Sequence, residues 1–115
     1  MSNTDFKVKQ ALNLNGSLAA NIQTVTLDYT ILDTDGVFTL LVDASLGAVA
    51  VDLPTAADNE GRLIVIKVVD IGTGVTVVPE VGQTLDAFTN AAPFSFGATW
   101  DSIMVQSNGT NWFII

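Results

Sequence analysis

The 115 residues carry 12 acidic and 4 basic side chains, a net charge of −8, with neither cysteine nor histidine. This excludes disulfides, thiolate metal sites, a cysteine nucleophile and the commonest general base, and it speaks against nucleic acid, whose phosphates are met by Lys and Arg. Hydrophobic residues are 49% of the chain and charged ones only 14%, against about 25% in ordinary domains, so copies of itself or a partner are expected to cover part of the surface.

Residues 1–20 stand apart. They hold two of the four basic side chains, Lys7 and Lys9, and their apolar residues Phe6, Val8, Leu12 and Leu14 are spaced for an extended segment that docks through alternate side chains. A frayed terminus and a docking arm are both compatible with that composition. No apolar run reaches the roughly 18 residues of a membrane span.

From Ile22 onward one strand follows another. The runs are 22–32 (with a bend near Asp28), 37–43, 48–53, 62–69, 74–79, 83–88, 93–98, 102–107 and 110–115. Turn residues separate them every 8 to 12 positions or so, the spacing of a sandwich or barrel. Val49, Val51 and Leu53 alternate with Ala48, Ala50 and Asp52, as a half-buried strand requires. Residues 56–60 are the one stretch suited to a helical turn, begun at Thr55 or after Pro54. The run 62–69 is apolar on both faces and reads as a central strand covered twice.

Several short motifs invite chemistry and read better as architecture. Asp33-Thr34-Asp35-Gly36 has the opening of a calcium loop, but a ligand is missing and the twelfth position is Ala44, so a turn is expected. Asp58 and Glu60 are close in sequence, yet no pocket signature supports paired-carboxylate catalysis. Gly72-Thr73-Gly74 lacks the lysine and the following helix of a phosphate loop, and reads as a hairpin turn. Trp100, Trp112, Phe94 and Phe96 read as core or interface aromatics rather than sugar platforms.

Asn108-Gly109 is a strong hairpin signal, also within an Asn-Gly-Thr glycosylation pattern that the turn accounts for. A two-residue loop would set Ser107 opposite Thr110, Val105 opposite Trp112 and Ile103 opposite Ile114. The predicted core contains Val51, Ile64, Ile66, Val105, Trp112 and Ile114. The pattern as a whole predicts an all-β, antiparallel, jelly-roll-like sandwich of about eight strands over residues 21–115. The arm, residues 1–20, precedes it.

The motifs also occur in a telling order. Leu53-Pro54 follows a short strand, Gly61-Arg62 opens the long one, Gly82-Gln83-Thr84-Leu85-Asp86 makes a turn, and Ser107-Asn108-Gly109-Thr110-Asn111-Trp112 closes the series. Over residues 29–115 this resembles a small β-sandwich module of tailed-bacteriophage virion proteins. The resemblance implies a virion structural protein, commonly trimeric, with no catalytic, metal or cofactor site. The absence of a coiled-coil or collagen-like shaft favours a capsid decoration, or cement, protein at the head surface over a head fibre, tail fibre or baseplate subunit. The implied partners are other copies and other virion proteins, the major capsid protein first, with neither nucleic acid nor membrane. A carbohydrate-binding module is the alternative from a different class, and an enzyme is the least supported.

Overall fold

The computed structural model describes residues 15–115. Among these residues nine strands form two sheets: β1 Ile22–Val25, β2 Tyr29–Thr30, β3 Thr39–Asp43, β4 Val49–Asp52, β5 Leu63–Asp70, β6 Val75–Val78, β7 Phe94–Ser95, β8 Ser102–Ser107 and β9 Trp112–Ile114. A 3-10 turn, Ala56–Asn59, follows Thr55. No helix among the described residues is long and apolar enough to cross a membrane.

The fold is all-β, but its winding differs from the antiparallel expectation. One sheet has the order β1-β3-β5-β8-β9 and the other β2-β4-β6-β7. The chain therefore changes sheet at every connection from β1 to β6, and each strand lies parallel to the one laid down a circuit earlier. Antiparallel pairing is confined to β6–β7, β5–β8 and β8–β9. The physical reason lies in the corners. Gly72-Thr73-Gly74 does make a turn, closed by the Gly74 N–H on the Ile71 carbonyl at 2.8 Å, but it carries the chain from β5 across to β6 in the other sheet. It is a corner and not a hairpin.

Two sequence-predicted runs change form. The run 22–32 breaks into β1 and β2, with Asp28 at the corner, where its Oδ1 accepts the Ala50 N–H at 2.9 Å. The run 83–88 is no strand: Leu85 and Phe88 bridge to each other across a tight turn, and Leu85 also bridges to Trp112.

The closing hairpin is longer-looped than its Asn-Gly signal implies. Ser107 pairs with Trp112 and Val105 with Ile114, so four residues, 108–111, make the loop. Asn108 Oδ1 accepts both the Thr110 and Asn111 N–H groups at 2.9 Å, and only Gly109 of the two turn residues has positive φ, whereas a type I′ turn needs both. The shift is by two residues, so every side chain keeps its face.

The two sheets enclose one core. Val51, Ile64, Ile66, Val105 and Trp112 are fully buried, and Ile114 is half-buried against them. Leu40, Val42, Val68, Val49, Val75 and Val77 complete the facing layers. Phe88, Phe94 and Phe96 stack edge to face, with centroids 5.3 and 5.0 Å apart, over one side of it.

Candidate functional site

The motif residues converge at one end of the sandwich, where the loops after β2, β4, β6 and β8 meet. Trp112 Nε1 donates to the Pro54 carbonyl at 2.9 Å, and Ser107 Oγ donates to the Ala56 carbonyl at 2.7 Å. Gln83 spans the same loop: its Oε1 accepts the Ala56 N–H and its Nε2 donates to Thr55 Oγ1, both at 3.0 Å. Thr84 donates its N–H to Asn111 Oδ1 and accepts the Trp112 N–H on its carbonyl. Asp86, held at φ 49°, donates its N–H to the Trp112 carbonyl and accepts the Ile114 N–H on Oδ1. Leu53-Pro54, Gly61, residues 82–86 and residues 107–112 thus form one structural knot rather than a binding cavity.

Beside it lies the polar cluster of the first long loop. Asp35 accepts the Leu32 N–H at 2.8 Å, the Val37 N–H at 3.0 Å, the Tyr29 hydroxyl at 3.0 Å and the Arg62 guanidinium at 2.8 Å. Burial pushes the Asp35 carboxyl up, but the bonds from Val37, Leu32, Arg62 and Tyr29 together outweigh it and hold the group below the usual carboxylate range. Burial, and then the bond to Asp35, push the Tyr29 hydroxyl up. Arg62 also donates to the Leu32 and Val37 carbonyls and to Asn59 Oδ1, while Asn59 reaches Asp33 Oδ1 at 2.7 Å. Every acceptor here is committed to shaping a turn. Among the described residues no three carboxylates come together as a metal site would need. Asp58 and Glu60 are both exposed at the neighbouring 3-10 turn.

The outer face of the five-stranded sheet has a different character. Leu41, Val65 and Met104 lie half-buried across its middle, flanked by the exposed Ile22, Leu63, Phe113 and Ile115. Asp43 and its ladder partner Asp70, at the bulge near one end, are its carboxylates, although the described residues hold eleven carboxylates against two cations. The sequence leads one to expect a second covering over β5. Among the described residues no second layer is present, and Val65, Lys67 and Val69 remain half-buried.

Trp100 stands at the far end of this face. It is 64% exposed and sits at φ 76°, an uncommon backbone state for a bulky residue. Lys67 Nζ donates to its carbonyl at 2.8 Å and lies 5.9 Å from the ring centroid. The two tryptophans therefore have opposite fates, Trp112 in the core and Trp100 on display. Pairing across the closing loop predicts Trp112 for the core, whereas no pattern around Trp100 signals its exposure or its positive φ.

The predicted docking residues Phe6, Lys7, Val8, Lys9, Leu12 and Leu14 lie outside the described residues. Residues 15–20, which lead from them to the body, are exposed throughout. Compared with protein-family models, with curated proteins and with solved structures, the chain matches none.

Proposed function

We propose that the protein is a structural component of a tailed-bacteriophage virion, a decoration or cement protein that binds the head surface as a homotrimer and stabilises it. The observation that carries this reading is the knot around Trp112. The pieces on which the resemblance rests are scattered over 60 positions of sequence, from Leu53 to Trp112, and they meet as one bonded unit. Such a set behaves as the signature of a module, not as a chance series of turns. The two-sheet body around one core supports the sandwich that the resemblance implies, while the parallel circuits depart from a jelly roll, whose neighbouring strands run antiparallel.

An associative role accords with the surface. A carboxylate-poor apolar face on an acidic body is suited to contact with copies of itself, because like charges there do not oppose the approach. The arm, with Lys7 and Lys9, supplies the opposite charge for an acidic neighbour.

The test is to locate the chain on intact particles by electron microscopy and to add it to particles that lack it. Density on the head surface, at sites of threefold assembly, is the expected result. A chain starting at Asn21 is expected to fold into the same sandwich yet fail to decorate. Density at the tail or baseplate would replace the decoration reading by the fibre reading. Specific binding on a glycan array, with Trp100 required, would replace both by the carbohydrate-binding reading.

A further inference from the structure

A two-sheet body has four strand edges, and here three of them are closed in different ways. The outer side of β9 is bonded by the 84–86 loop, through the Trp112 N–H to the Thr84 carbonyl and the Ile114 N–H to Asp86 Oδ1. The edges of the second sheet, β2 and β7, are two residues long, too short to template a partner. The fourth edge is β1, Ile22-Gln23-Thr24-Val25. It carries no charge, no proline and no bulge, the usual protections of an exposed edge.

The backbone of β1 is oriented for pairing. The Thr39 N–H donates to the Asn21 carbonyl at 3.0 Å, so in a parallel ladder the next bonds to β3 fall on Gln23 and Val25. The N–H and C=O groups of Ile22 and Thr24 then point away from the sheet, and among the described residues none of them has a partner. The surrounding surface is apolar as well. Leu18, Ile22, Leu27 and Leu32 are all at least 55% exposed, and all belong to this first circuit. Residues 15–61 contain no Lys or Arg, while Asp28 and Asp33 sit in the exposed segments on either side of β2.

We infer that β1 is the receiving edge for the N-terminal segment of a second copy of this chain, which adds as an extra strand to the five-stranded sheet. The segment fits the edge in length, in pattern and in charge. Fourteen residues lie ahead of the described body, more than a four-residue edge needs. Phe6 and Val8 alternate with Lys7 and Lys9, so one side of an added strand is apolar beside Ile22 and the other brings cations towards Asp28 and Asp33. A neighbour is favoured over the chain's own segment because residues 15–20 are exposed and make no backbone bond to other described residues. Each copy then gives one strand and receives one, a head-to-tail contact that closes as a ring. The inference rests on the self-association in the proposed function and names the surfaces that produce it.

The test uses the full chain. Light scattering at micromolar concentration is expected to return three times the 12.1 kDa chain mass. The double variant Phe6→Asp, Val8→Asp, altered outside the folded body, is expected to fall threefold to one chain with an unchanged circular dichroism spectrum. Thr24→Pro, which removes an outward N–H and no bond to β3, is expected to do the same. A zero-length carbodiimide cross-link in an exchanged mixture of 14N and 15N chains is expected to join Lys7 or Lys9 to Asp28 or Asp33 in peptides of mixed label. Trimers that persist in both variants would overturn the inference while leaving the proposed trimer standing. So would cross-links found only within one label. An intact chain that runs as a monomer would overturn the trimer itself and the inference with it.

Discussion

Trp112 and Asp35 show what single side chains contribute to this molecule. Trp112 is fully buried and its indole N–H reaches the Pro54 carbonyl, so it joins β9 to the loop after β4 by packing and by a bond at once. Trp112→Ala is expected to cost about 3–5 kcal/mol, measured by urea denaturation, since it removes a large core side chain and leaves that carbonyl without its donor. Asp35 acts through charge. Its carboxyl is held below the usual range, so it stabilises the fold above the ordinary carboxylate pKa, and that contribution is lost as pH falls through the lower folded value. Asp35→Ala is expected to cost about 1–3 kcal/mol at neutral pH, with the gap from the parent narrowing below about pH 4. Urea midpoints taken at pH 7 and at pH 3 check both the size and the sign.

At the scale of elements, the corners decide the fold. Gly72 has φ 47°, and a Cβ there would overlap the Ala44 carbonyl of the preceding corner. Gly72→Ala is expected to destabilise by about 1–3 kcal/mol, more than the same change at Gly61, where φ is also positive but nothing lies within reach of a Cβ. Thermal melting of the two variants side by side tests the difference. This corner also marks the limit of what the sequence discloses. Alternation at Val49–Asp52 and in Leu63–Asp70 assigns side chains to faces, and the strands lie close to where those patterns place them. A period of two does not name the neighbour across the ladder. Gly-Thr-Gly serves a hairpin and a sheet-to-sheet corner equally well, so the parallel circuits stayed hidden. Asn108-Gly109 misled on register for a related reason: Thr84 and Asp86 compete for the backbone around Trp112, and they come from a loop over 20 residues upstream. The candidate surface was legible as a shortage of charge, whereas its location required knowing that Leu41, Val65 and Met104 share a face.

The whole molecule is a small acidic body with one uncharged edge and one apolar face. Exposed ion pairs weaken in salt while apolar burial and backbone bonding do not. The trimer is therefore expected to keep its mass in light scattering from about 0.1 to 1 M NaCl, and dissociation over that range would mean that Lys7 and Lys9 carry the association alone. The sandwich itself draws its core from residues 25–112.

The change of sheet at every corner also governs how the chain finds its structure. Ile22 has no ladder until Thr39 arrives, and Thr39 waits in turn for Val65, so each parallel pair must first close a full circuit of chain. Among the described strands only β8 and β9 pair across a short loop. Few early contacts are local, which places refolding among the slow all-β proteins, on the order of milliseconds to seconds by stopped-flow fluorescence of the buried tryptophan.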